Sequence, residues 1–296
     1  MGNDAGSSAS PVAIICGGGA IPPAVVESAC RMGREVKVVA IKGEADASLE
    51  RYRPTELGWG QIGKLFDVLK RAGCRDVVLI GNITKRPDFR SIAGDLGTIR
   101  RLPRIISALK GGDDSLLVKV IGLFEEEGFR VVGAHEVAPR LLAASGHIGG
   151  PMLTPENSAD ISLARQAIVA IGHLDVGQAA IAVGGRIVAI EGAEGTDAMV
   201  SRCADLRRIG RVRDKVPSGV LVKRPKPGQD LRVDLPAIGP QTVEAAQNAG
   251  LAGIAVEAGR VLIAEKERTL ELAQSKRISI FGFDPISAGE SVAHDG

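Results

Sequence analysis

Aromatic residues are scarce: Phe, Trp and Tyr together make up 3% of the 296 residues. A core must therefore be built from Val, Ile, Leu and Ala, as expected for helices layered on a sheet. The same scarcity argues against the stacking platforms that hold single-stranded nucleic acid. A net charge of +2 is too small for a nucleic-acid surface. Cysteine is sparse as well. Cys16, Cys30, Cys74 and Cys203 are scattered, with no Cys-x-x-Cys pair to hold zinc, so buried, reduced thiols of a cytoplasmic protein are expected. No apolar stretch reaches membrane-spanning length without a charge, so any membrane contact is expected to be peripheral. Residues 1–10 are small and polar and lack the order of a signal peptide; they read as a disordered tail.

What is present is the balance of a folded soluble protein, 45% hydrophobic and 24% charged, at a length that suits two domains. In residues 11–147, apolar strands are expected at 11–16, 36–41, 76–80 and 129–133, and helices at 20–32, 62–72, 99–109, 115–127 and 138–143. Such alternation predicts an α/β domain with a Rossmann-like open parallel sheet. Residues 148–155, within a Gly- and Pro-rich stretch, are expected to be a hinge. In residues 156–285, helices are expected at 159–173, 196–206, 241–249 and 265–274, and strands at 219–223, 253–256, 260–264 and 278–283. Residues 179–183 and 186–191, joined by Gly184 and Gly185, read as a β-hairpin. A second α/β domain with a mixed sheet follows, and 286–296 reads as a flexible tail.

Chemistry concentrates in residues 221–236. Asp230 and Asp234 lie among the cations Lys223, Arg224, Lys226 and Arg232, and Pro225 and Pro227 deny the segment a helix. Ordering such a segment costs entropy and buries little apolar area, which points to a ligand. Cations hold phosphate oxygens; carboxylates hold a metal ion or take a proton from water. A solvated charged loop is the plain alternative.

Three further stretches carry candidate contacts. Gly17, Gly18 and Gly19, between a strand and a helix, can bring backbone N–H groups to a phosphate. They are not Gly-x-Gly-x-x-Gly, and no Lys-Ser/Thr follows as in a P-loop. Asn82, Lys85 and Arg86 follow a strand at the edge where open α/β sheets bind ligands, and suit an anion. Gly195 and Thr196 begin a helix beside Glu194 and Asp197; the amides can hold phosphate, and the two acids a metal. Asp113 and Asp114 are explained most simply by N-capping by one or the other, with metal binding by the pair the sharper alternative, and His135 with Glu136 is a lone acid–base pair without a third group.

In order and spacing these stretches, together with Leu174-Asp175-Val176-Gly177-Gln178, Lys223 to Pro227 and Val233 to Gly239, resemble the LpxI-type UDP-2,3-diacylglucosamine pyrophosphatases of lipid A synthesis. The resemblance covers nearly the whole chain. It implies two domains that hold the substrate, and hydrolysis of the diphosphate of UDP-2,3-diacylglucosamine to UMP and 2,3-diacylglucosamine 1-phosphate (lipid X), with water attacking the α-phosphorus. It implies a divalent metal, magnesium or manganese, and a cytoplasmic enzyme peripheral on the inner face of the inner membrane; a homodimer is also expected. The family's essential aspartate, in Val-Asp-Leu-Pro, falls on Asp234. On this reading Asp234 binds the metal or activates the water, with Asp230 ranked second. Lys223 holds phosphate, Glu194 and Asp197 complete the metal site, and Gly17 to Gly19 and Asn82 touch the nucleotide or sugar. Two alternatives are a dinucleotide-dependent oxidoreductase and a non-catalytic nucleotide-sugar-binding protein.

Overall fold

A computed structural model describes residues 10–83, 95, 97–98, 113–212 and 217–285. The chain divides into two compact units. Unit 1 runs to Arg140 and also takes Asp230–Asp234; unit 2 comprises Leu141–Gln229 and the chain from Leu235 onward.

Unit 1 is an all-parallel sheet. Its strands are β1 (Val12–Cys16), β2 (Val36–Ile41), β3 (Thr55–Leu57), β4 (Asp76–Ile80) and β5 (Arg130–Val131), in the order β3-β2-β1-β4-β5. The helices are α1 (Ile21–Arg31), α2 (Ile62–Arg71), α3 (Asp113–Glu126) and the single turn α4 (Ala134–Val137). Every residue of β1 is buried, because its Val-Ala-Ile-Ile-Cys run faces packed layers on both sides of a parallel sheet. Three of the scarce aromatics form one cluster of its core. Phe66 of α2, Phe124 of α3 and Phe129 pack together with ring centroids 5.3, 5.9 and 6.4 Å apart. Val233, from the segment Asp230–Asp234, packs against the same cluster.

Unit 2 carries β6 (Gly146–Gly149), α5 (Pro155–Gly172), β7 (Ala179–Val183), β8 (Arg186–Ile190), α6 (Gly195–Arg208), β9 (Val220–Lys223), β10 (Ala237–Ile238), α7 (Pro240–Asn248), β11 (Gly253–Glu257), β12 (Leu262–Ile263), α8 (Lys266–Lys276) and β13 (Ser279–Phe283). Its six-stranded sheet has the order β6-β13-β11-β9-β7-β8. The centre, β13-β11-β9, is parallel, and the flanking pairs are antiparallel, so the sheet is mixed as expected. Strand alternation sends neighbouring residues to opposite faces. Val220 and Val222 pack with Ile161, Ala164 and Ile168 of α5, and Leu221 packs with Met199 of α6 and Val243 of α7. The β7–β8 hairpin turns on Gly184 and Gly185, both at positive φ, and their N–H groups donate to the Asp160 carboxylate.

Several local expectations differ. The helix expected at 138–143 is displaced to α4 plus a 3-10 turn, Pro139–Leu141; Pro139 has no N–H to continue an α-helix. The strand expected at 260–264 does not pair with β11, because β9 and β13 occupy both edges of β11. It shortens to β12 and pairs in parallel with β10. The Gly-rich stretch at 146–149 is strand β6, antiparallel to β13. Cys30, expected to be buried, is exposed; Cys16, Cys74 and Cys203 are buried. The helix expected at 99–109 and both tails beyond residues 10 and 285 lie outside the described residues.

Candidate active site

In unit 1 the chain leaves β1 to form β2 on one side and later returns to form β4 on the other. Loops therefore diverge after β1 and β4, the topological switch point where open sheets leave a ligand crevice. Gly17–Gly19 and Gly81–Asn82 occupy that position. The two loops are zipped together: Gly18 N–H donates to Asn82 O and Asn82 N–H to Gly18 O, each at 2.9 Å. This approach requires glycine, since a Cβ at Gly17 would lie 2.5 Å from Asn82 O.

The zipping also uses the donors. Gly17 N–H is bonded to Ile80 O and Gly19 N–H to Asp46 Oδ2 at 2.7 Å. The first turn of α1 contains Pro22 and Pro23, which have no N–H. The amide cradle of a dinucleotide fold is thus largely closed off, and the oxidoreductase reading loses its phosphate site. Lys85 and Arg86 lie outside the described residues, as does Gly112; of Asp113 the backbone starts α3. Glu136 Oε1 accepts the Gly133 N–H at 2.8 Å, which gives that acid a structural task.

The segment Asp230–Asp234 forms a single turn within unit 1. Asp234 N–H donates to Asp230 O at 3.1 Å. Both carboxylate oxygens of Asp230 are taken by Arg232: Nε at 3.0 and 3.2 Å, Nη2 at 2.7 Å, and the Arg232 backbone N–H at 3.0 Å. Arg232 Nη1 in turn reaches Glu125 Oε1 of α3 at 3.1 Å. The Arg232 guanidinium holds the Asp230 carboxyl below the usual carboxylate range. Asp230 is therefore committed to fixing the turn, and Asp234, which closes that turn, is half-buried.

In unit 2, Lys223 ends β9 and is buried. By alternation it faces the α6 side, where its Nζ donates to Thr196 Oγ1 at 3.0 Å. Thr196 is the second residue of α6, and no side chain caps that helix. Its hydroxyl instead donates to Glu191 Oε1 at 2.6 Å, and Glu191 Oε2 accepts the Gln178 N–H at 2.9 Å. Gly195 supplies the positive φ of the preceding turn. Glu194 is ion-paired with Arg202 at 3.0 Å, and Asp197 is exposed in the first turn of α6, where the helix dipole favours an acid. Lys226 pairs with Asp175, and Arg224 N–H donates to Gln178 O at 2.9 Å. Residues 224–226, around Pro225, are thus tied to the loop that enters β7, so this part of the stretch is not a free surface loop.

Lys223 and Thr196 are brought together; Glu191, which takes the Thr196 proton, was not among the expected site residues. Its only sequence signal is an acid at the end of a hairpin strand followed by a Gly-rich turn and a helix start.

Two family descriptions match consecutive parts of the chain: the LpxI N-terminal domain over residues 11–141 and the LpxI C-terminal domain over residues 144–281. The chain belongs to the LpxI family. The curated LpxI protein of Caulobacter vibrioides, a UDP-2,3-diacylglucosamine pyrophosphatase, is 42% identical over 272 residues, which is 92% of this chain and 97% of that protein. The junction of the two LpxI matches lies beside Arg140 and Leu141, where unit 1 gives way to unit 2.

Among the described residues no group of three or more His, Cys, Asp or Glu side chains stands ready to hold a metal ion. A dedicated cage of protein ligands is thus not what they offer. Magnesium characteristically takes one or two carboxylates, several waters and substrate phosphate oxygens, and a carboxylate such as Asp234 fits that mode.

Proposed function

We propose that this LpxI-family chain hydrolyses the diphosphate of UDP-2,3-diacylglucosamine to lipid X and UMP. The observation that carries the reading is the 42% identity to a pyrophosphatase of that substrate across nearly the full length of both chains. Chemistry at the described residues supports it. A diphosphate repels an anionic nucleophile, so its oxygens must be neutralised and a water oriented.

In this reading Asp234 accepts a proton from water as its oxygen bonds to the α-phosphorus. The bond from that phosphorus to the bridging oxygen breaks, and the oxygen leaves on lipid X. Lys223 donates to phosphate oxygens, Thr196 stands beside it with its hydroxyl proton on Glu191, and Gly195 shapes the turn next to them. Gly17, Gly18, Gly19 and Asn82 supply shape at the nucleotide or sugar, and Lys85 and Arg86 charge. Magnesium or manganese would be held by Asp234 with waters and phosphate oxygens. When bound, the ion supplies charge neutralisation to the diphosphate. No helix among the described residues is long and apolar enough to cross a membrane, and a diacylated substrate makes a peripheral place at the inner face of the inner membrane the fitting one.

The test is incubation with UDP-2,3-diacylglucosamine and Mg²⁺ in ¹⁸O-water, with and without EDTA, beside Asp234→Ala. Metal-dependent UMP carrying the label, lost in the variant, is expected. Label in the lipid phosphate would overturn the attack at the α-phosphorus. Tight binding without turnover would make the chain a nucleotide-sugar-binding protein.

A further inference from the structure

Glu191 follows the last residue of β8, is 6% exposed, and uses both carboxylate oxygens on donors from different parts of unit 2. Its backbone is fixed on both sides. Glu191 N–H donates to Ala179 O at 2.9 Å, and Gly177 passes so close that a Cβ there would lie 2.4 Å from Glu191 O. The carboxylate therefore has a position set by the β7–β8 pairing and by the Gly177-Gln178 backbone.

We infer that Glu191 is a positioning residue that sets the direction of the Thr196 hydroxyl and, through it, the place of the Lys223 ammonium. This rests on the reading that Lys223 and Thr196 meet the diphosphate. The directionality follows from donor counting. A lysine ammonium only donates, and a carboxylate only accepts. Thr196 must therefore accept from Lys223 and spend its one proton on Glu191. The 2.6 Å O–H···O contact has the short length of a charge-assisted bond.

The arrangement places one hydroxyl between a buried cation and a buried anion. Lys223 is 8% exposed, so its charge needs a counter-charge. Glu191 supplies one through the Thr196 hydroxyl. Thr196 is free to play this part because α6 begins without a side-chain cap.

Only a carboxylate satisfies the arrangement. Glutamine offers one acceptor and one donor group where Gln178 N–H and the Thr196 hydroxyl both donate. Either amide orientation sets two donors against each other or reverses the hydroxyl toward Lys223. Leaving such buried groups unmatched is costly.

The experiment is a double-mutant cycle with Glu191→Gln and Thr196→Val, read as kcat, KM and the dissociation constant of UDP, with thermal stability measured in parallel. Each single change should lower kcat/KM by about tenfold or more. The double should fall no further than the worse single, because both break one relay. Thr196→Ser, which keeps the hydroxyl, should recover most of the loss. Additive effects, or a stability loss with kcat/KM unmoved, would overturn the inference. If Glu191→Gln does not fold, Thr196→Val against Thr196→Ser decides alone: equal losses in the two overturn it. If the wild type binds UDP but does not turn over UDP-2,3-diacylglucosamine, the proposed function fails. The same cycle on the UDP dissociation constant then still tests the relay.

Discussion

Arg224 Nε lies 2.8 Å from Glu257 Oε2, and both side chains are buried. The residues end neighbouring strands: Arg224 follows β9 and Glu257 closes β11. Arg260 Nη1 approaches the other oxygen at 3.3 Å. Burial draws the Arg224 guanidinium below its ordinary pKa, and Glu257 opposes that shift. Alternation puts Arg224 on the α5 face and Lys223 on the α6 face, so two adjacent cations anchor the end of one strand from both sides.

Removing one partner of a buried pair leaves an uncompensated charge. Glu257→Gln should therefore lower the unfolding free energy by about 3–5 kcal/mol, measured by urea denaturation. A loss below about 1 kcal/mol would show that the pair does not hold this edge of the sheet.

Asp230 carries a pH signature. Its folded pKa is lowered, first by the hydrogen bond from Arg232. A lowered folded value stabilises the protein above the unfolded pKa, and that contribution disappears as pH falls through the folded value. The stability difference between wild type and Asp230→Asn should thus be full at neutral pH and shrink in acid. Thermal unfolding from pH 7 to pH 3 measures it; a difference that grows in acid contradicts the assignment.

Thiol reactivity should divide one against three. Burial pushes the Cys16 thiol up to about 12, and raises Cys74 and Cys203 above the usual thiol value. Because the thiolate is the nucleophile, a disulfide reagent at pH 8 should modify only exposed Cys30 quickly. All four should react in urea, and Cys30→Ser should abolish the fast phase.

Gly177→Ala should be costly although the residue is not at positive φ. The added Cβ would meet Glu191 O at 2.4 Å and Glu191 Cβ at 2.9 Å. Overpacking of this kind costs about 1–3 kcal/mol, and kcat/KM should fall with stability because Glu191 moves. Unchanged melting and activity would mean that the loop yields freely.

Strands β2 and β4 coincide with their expected bounds because each is a short run of β-branched residues buried between layers, bounded by glycine or charge. The hairpin was legible from Gly184-Gly185. Strand β3 was not: three residues after Pro54 at a sheet edge carry no periodic signal. Strand β6 reads as a hinge because Gly-His-Ile-Gly owes its extended form to pairing with β13, not to its own propensity. The site shows the same split. Asp234 and Lys223 stand in a conspicuous stretch, whereas the part played by Glu191 depends on where a hairpin end meets a helix start.

The membership of Asp230–Asp234 in unit 1, with both flanks in unit 2, bears on how the chain is made. On the ribosome, the amino-terminal layers emerge long before Val233, which packs on their aromatic cluster, and before the turn that Arg232 ties to Glu125. The first unit can be finished only when most of the second has been translated. A fragment cut at Arg140 would lack both an apolar plug and its aspartate. The two matched sequence segments are therefore not exchangeable cassettes, and a working chimaera would have to borrow both from one parent.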